Sequence, residues 1–133
     1  MAIIDKPTDY FNTKLYTGTG SSLAITGVGF QPDLIWFKQR DAVRNHAAVD
    51  SVRGRSKVVF PDLTNAEETS AASTNDLVSF DSDGFTVGTT NVSGSFNTSS
   101  GSHVAWNWKA GTSFTNDASA TGIGSIDSTG SVN

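Results

Sequence analysis

Asp33-Leu34-Ile35-Trp36-Phe37-Lys38-Gln39-Arg40 is the stretch that decides the fold. Side chains alternate between the two faces of an extended strand, so Leu34, Trp36, Lys38 and Arg40 share one face and Ile35, Phe37 and Gln39 the other. Four successive apolar residues, 34–37, predict a strand covered on both faces at its start, as in the middle of a sandwich. Pro32 stands just ahead of it, where no ladder hydrogen bond is lost.

Working outward, short apolar runs recur with turn residues between them. Lys14-Leu15-Tyr16-Thr17 and Leu23-Ala24-Ile25-Thr26 flank Gly18-Thr19-Gly20-Ser21-Ser22 and read as a hairpin. His46-Ala47-Ala48-Val49-Asp50-Ser51-Val52 and Lys57-Val58-Val59-Phe60 read as two further strands, the second ended by Pro61. The polar stretch 62–75 has capping-box spacing at Thr64-Asn65-Ala66-Glu67, but no apolar face follows the cap, so it reads as a loop. Leu77-Val78-Ser79-Phe80 and Phe85-Thr86-Val87-Gly88 make the best hairpin, with Gly84 supplying the positive φ of its turn. His103-Val104-Ala105-Trp106-Asn107-Trp108-Lys109 is the last strong strand. Trp36, Trp106 and Trp108 are candidates for a stacking platform for sugar rings, but Trp106 and Trp108 share a face with Val104, and as large apolar side chains they are expected to point into the core together. About eight short strands without an amphipathic crossover helix predict an all-β protein, an antiparallel β-sandwich or jelly roll. The expected organisation is an N-terminal arm over 1–13, the sandwich over 14–111, and a polar, low-complexity C-terminal tail or linker over 112–133.

Composition agrees. Of 133 residues, 13 are Gly and 17% are charged; Ser and Thr supply roughly a quarter, a bias toward strands and turns. A formal net charge of −4 argues against a nucleic-acid partner. Without cysteine there is no disulfide framework and no thiol nucleophile. No apolar run reaches the roughly 18 residues of a membrane-spanning helix, and no targeting segment is recognised at the N-terminus.

Gly54-Arg55-Ser56 begins a nucleophile elbow, but Val58 stands where its last glycine belongs. His46 and Asp50 lie about 13 Å apart along a strand, too far for a shared metal. Asp81-Ser82-Asp83-Gly84 lacks the further acidic ligands of a calcium loop and reads as a turn. Glu67 and Glu68 are adjacent in a loop, which is not the arrangement of a glycosidase pair. No catalytic, cofactor-binding or metal residue is assigned, and the protein is expected to be no enzyme. Lys38, Arg40, Arg44, Arg53, Arg55 and Lys57 bunch in one segment. Such a cluster suits phosphate, sulfate, uronate or an acidic protein. The plainer reading pairs Lys38 and Arg40 with Asp50 on the neighbouring strand.

Tyr10-Phe11-Asn12-Thr13, Gly27-Val28-Gly29-Phe30-Gln31-Pro32-Asp33-Leu34-Ile35-Trp36-Phe37-Lys38 and Val49-Asp50-Ser51-Val52-Arg53-Gly54 follow in order. Phe80-Asp81-Ser82-Asp83-Gly84-Phe85-Thr86-Val87-Gly88 and Val104-Ala105-Trp106-Asn107-Trp108-Lys109-Ala110-Gly111 complete the series. Over residues 9–111 this series resembles a lectin- or glucanase-like jelly-roll domain of structural proteins in marine tailed bacteriophages. The resemblance implies a non-enzymatic virion component, a tail fibre or a capsid or tail appendage, assembled in the host cytoplasm. It also implies that the chain is the particle-attaching N-terminal part of a longer fibre. The expected partners are other virion proteins and further copies of the chain, with a trimer among the candidate homo-oligomers. The alternative function is recognition of a host surface glycan through exposed aromatic side chains.

Overall fold

The structure, a computed structural model, describes residues 6–69, 76–89, 96–110, 112–116 and 128–132, the last two segments by backbone alone. After a 3-10 turn at Pro7–Asp9 come β1 (Phe11–Thr17), β2 (Leu23–Ile25), β3 (Leu34–Gln39), β4 (Ala47–Asp50), β5 (Lys57–Val58) and β6 (Glu68–Thr69). Then follow β7 (Leu77–Asp81), β8 (Gly84–Val87), β9 (Ser102–Trp108), β10 (Thr112–Asn116) and β11 (Ser128–Val132). A four-stranded sheet in the order β1-β9-β3-β4 faces a three-stranded sheet in the order β2-β8-β7, and every ladder is antiparallel. The chain is an antiparallel β-sandwich.

The inner face of β3 fixes the core. Ile35 and Phe37 are fully buried with Ala47, Val49 and Ala105, and they meet Ile25, Leu77, Phe85 and Val87 from the smaller sheet. The Phe37 ring sits edge-on to Phe85 at 5.3 Å and tilts against Phe96 at 4.5 Å. Ala105 lies directly opposite Phe37 in the ladder, and its small side chain leaves room for that aromatic contact. Each such large apolar side chain contributes about 1.5–3 kcal/mol by leaving water.

Both ends of the sandwich are closed by polar side chains with backbone partners. Asn97, buried after the β8 loop, accepts from the Thr19 N–H and donates to the Ser21 and Gly88 carbonyls. At the other end Asn107 donates to the Asn12 carbonyl, and Asn12 in turn donates to the carbonyl of buried Val28. Burial of these amides is tolerable because each Nδ2 finds a backbone carbonyl, although the Asn107 Oδ1 is buried with no partner among the described residues. Tyr16 stacks on His103 at 5.1 Å and donates its hydroxyl to the Phe96 carbonyl. Burial pushes its pKa upward.

The β7–β8 hairpin forms as expected, and its turn locks the two sheets together. Gly84 has φ +149°, and a Cβ there would stand 2.0 Å from the Ile25 carbonyl oxygen. The Asp83 carboxylate accepts from the Gly29 and Gly27 N–H groups at 2.7 and 2.9 Å, and both hold its pKa below the ordinary value. Asp81 accepts from the Ser79 and Thr86 hydroxyls. Lys14, on the inner side of β1, approaches Gly27 and adds its positive charge to the Asp83 environment.

The structure differs locally from expectation at several points. Residues 14–17 and 23–26 do not form a hairpin: β1 pairs with β9 and β2 with β8. The Gly18 and Gly20 N–H groups donate to Gly101 and Asn97 carbonyls instead, so this segment carries the chain from one sheet to the other. Within the polar stretch 62–75, Glu68–Thr69 is a short strand because Lys57–Val58 supplies a partner; residues 70–75 lie outside the described residues. Asp50 takes Arg53 as its cation, not Lys38 or Arg40, and Glu67 joins Arg53 to Lys57. In the segment read as a tail, Thr112–Asn116 pairs with Ser128–Val132 in a separate two-stranded sheet. Strand β1 begins at Phe11, inside the expected arm.

Candidate functional site

The outer face of the four-stranded sheet carries the aromatic side chains that sequence reading placed in the core. Cross-strand partners share a face, so Phe11, Trp108, Leu34 and Asp50 form one row across β1, β9, β3 and β4. Thr13, Trp106, Trp36 and Ala48 form the next, and Leu15, Val104 and Lys38 the third. The expectation that Trp106 and Trp108 point inward is overturned: His103, Ala105 and Asn107 take the buried positions and both indoles are half-exposed. The phase of β9 is set by its neighbours, since Ala105 must face the crowded Phe37 while two indoles would not fit between closely packed sheets.

His46, Trp36 and Trp106 stand in a line of edge-on contacts. Trp36 meets Trp106 at 6.5 Å with an interplanar angle of 80°, and His46 at 5.8 Å with the same angle. The Trp36 indole N–H donates to His46 Nδ1 at 2.9 Å, which fixes both rings. Phe11 packs on Trp108 at 5.1 Å and remains 38% exposed. Trp36, His46, Trp106 and Trp108 line a shallow cleft of about 270 Å³. Trp108 also forms one wall of a neighbouring cleft of about 380 Å³, whose polar wall is Asp33, Asp50 and Lys109. These volumes lie near the low end of the range for small-molecule sites, about 300–1,000 Å³.

Polar groups around the aromatic floor fall into engaged and available sets. Asp33 is engaged: its carboxylate accepts from the Ser51 hydroxyl and the Ala110 N–H, tying the start of β3 to the segment after β9. Burial raises the Asp50 pKa, but hydrogen bonds from the Arg53 N–H and guanidinium and its charge outweigh that, so the net shift is downward. No hydrogen bond engages the indole N–H of Trp106 or Trp108 among the described residues, which leaves two donors on the open face. Past Trp36 on the same face, Lys38 donates to the Arg44 carbonyl. The guanidinium groups of Arg40 and Arg44 make no ion pair among the described residues. Asp41 and Asp62 stand at this end, and both accept backbone N–H groups, from Ser102 and His46.

Of the residues weighed for chemistry in the sequence, the structure brings His46 to the aromatic cleft and buries His103 beneath Tyr16. Glu67 serves the Arg53–Lys57 ion-pair cluster. Among the described residues no three His, Asp or Glu side chains converge as a metal site. Sequence reading missed the Trp36–His46 pair because the two residues meet only once β3 and β4 are in register, and Phe11 because it fell in the expected arm.

No curated protein and no solved structure matches the chain. One family model, described as a domain of unknown function, DUF7483, covers residues 6–133. A match over nearly the whole length, taking in both sheets and the aromatic face, makes this chain a member of the DUF7483 family.

Proposed function

We propose that this chain is a non-enzymatic recognition module of a tailed-phage virion appendage, and that the outer face of its four-stranded sheet binds carbohydrate. The virion setting is supported by the ordered resemblance over residues 9–111 and by a sandwich fold of the kind that resemblance implies. The observation that carries the carbohydrate reading is the cleft of Trp36, Trp106 and Trp108 on an open sheet face. Sugar rings present an apolar C–H face that lies on an indole and hydroxyls that need donors and acceptors at the rim. The indole N–H groups, unengaged among the described residues, and Lys109 supply the donors, and the lone pairs that Asp33 and Asp50 do not spend on Ser51, Ala110 and Arg53 supply acceptors. Appendages assemble by closed symmetry, so a homo-oligomer presenting several such faces belongs to the same reading.

The test is adsorption of particles carrying Trp106→Ala or Trp36→Ala in this chain. Particles that contain the variant chain in normal amount but adsorb poorly to host cells are the expected result. A second reading, docking to another virion protein, draws on the exposed Phe11 and Leu15 beside the cleft. It predicts the opposite outcome, loss of the chain from particles while free chain still binds glycan.

A further inference from the structure

We infer that the carbohydrate taken by this face is an acidic one, its carboxylate or sulfate groups seated at the Lys38 end of the cleft. The inference rests on the carbohydrate reading above and adds the charge class and direction of the ligand. Strand β3 runs through the face from Leu34, opposite Asp50, past Trp36 to Lys38, opposite Val104. Lys38 is therefore the diagonal neighbour of Trp106, with backbones about 7–8 Å apart. An ammonium there lies within reach of a charged substituent on a ring stacked over the indole. Lys38 spends one donor on the Arg44 carbonyl, which brings the Arg44 backbone to the same spot.

Charge complementarity decides the class. The chain carries a net charge of −4, yet Lys38, Arg40 and Arg44 gather at this rim without a carboxylate partner among the described residues. Arg53 and Lys57, from the same basic segment, are instead consumed by Asp50 and Glu67. The two carboxylates near the rim, Asp41 and Asp62, accept backbone N–H groups, and neither makes an ion pair among the described residues. A protein partner fits less well, because a stable interface buries about 800 Å² per side and a cleft of about 270 Å³ is scaled to one or two sugar rings.

Binding of the full chain to three probes tests the inference: a galacturonic acid hexamer, a heparin-derived hexasaccharide and neutral cellohexaose, each by calorimetry in low and high salt. At least one acidic probe is expected to bind about tenfold or more tighter than cellohexaose, and that margin should shrink in high salt. The Lys38→Gln/Arg44→Gln double variant should lose about tenfold of the preference. Lys57→Gln, whose cation faces Glu67, should leave the preference intact. Trp106→Ala should weaken binding of the preferred probe by about thirtyfold, with an unchanged far-ultraviolet circular dichroism spectrum showing that the sandwich persists. Equal affinity for acidic and neutral probes, still lost in Trp106→Ala, would overturn the charge assignment and leave the carbohydrate reading standing. An acidic preference indifferent to both sets of variants would overturn the placement. No binding of any probe would overturn both.

Discussion

The two faces of the four-stranded sheet invert the usual expectation about which side chains a protein hides. Its inner face buries Gln39, His103 and Asn107 beside Ile35, Phe37 and Ala105, whereas its outer face leaves Trp36, Trp106 and Trp108 only partly buried. Hydrophobicity alone would exchange them. What holds the polar residues inside is that they have partners: Asn107 reaches the Asn12 and Ala105 carbonyls, and Gln39 bridges Asp41 and Thr98. A buried amide whose N–H donors are bonded costs less than a free one, although the Asn107 Oδ1 has no partner among the described residues, and an indole on an open face is tolerable. The inner face closes the sandwich, and the outer one leaves its aromatic rings partly accessible.

Substitutions matched across the sheet would break or sharpen that contrast. The largest effect is expected from Phe37→Ala, which removes a fully buried ring between Phe85 and Phe96 and should cost about 3–5 kcal/mol in urea unfolding. A cost below about 1 kcal/mol would mean that the sheets do not pack as described. Gly84→Val comes next, at about 2–3 kcal/mol, since φ there is +149° and the Ile25 carbonyl occupies the space of a Cβ. Trp106→Ala should cost only about 1 kcal/mol, because the lost ring was already half-exposed. An equal cost for Phe37→Ala and Trp106→Ala would erase the distinction between the faces.

The smallest effect is with pH. Asp83, through the Gly29 and Gly27 N–H groups, and Asp41, through the Gln39 amide and then the Ser102 N–H, hold pKa values below the ordinary 3.8. The folded state therefore favours the carboxylate more than the unfolded chain does. That stability is fully present above the unfolded value and is lost as pH falls through it toward the folded one. Melting temperature should be level near neutrality and decline below about pH 4, with a shallower decline in Asp83→Asn. A melting curve indifferent to acid would show that neither carboxylate is tied as described.

Much of this architecture could be read from residue order. The alternation in 33–40, the Asp83-Gly84 turn and the strand around Trp106 stand in the structure close to where pattern reading puts them. The face of β9 was not legible, because Val104, Trp106 and Trp108 on one side and Ala105 on the other gave both phases an apolar member. Only the ladder to Phe37 decides between them. The apparent hairpin of residues 14–26 misled for a related reason: its glycines bend the chain toward residues 97–101, a pairing separated by some eighty positions. The candidate site divides the same way: its three tryptophans can be named from the sequence as a sugar-stacking platform, but their exposure cannot. Phe11 and His46 join them from another strand and a loop, and nothing local in the sequence announces that meeting.

Lys14 carries one further consequence. Among the described residues strand β1 ends the four-stranded sheet, with half of its backbone hydrogen-bonding capacity turned away from β9. An exposed rim of that kind is an invitation to templated growth, in which a stranger's strand continues the ladder. A lysine directed under the rim, held near Gly27 and Asp83, discourages such growth because an incoming copy would have to bury a second ammonium beside it. The same side chain that braces the loop thus makes strand addition at this edge costly.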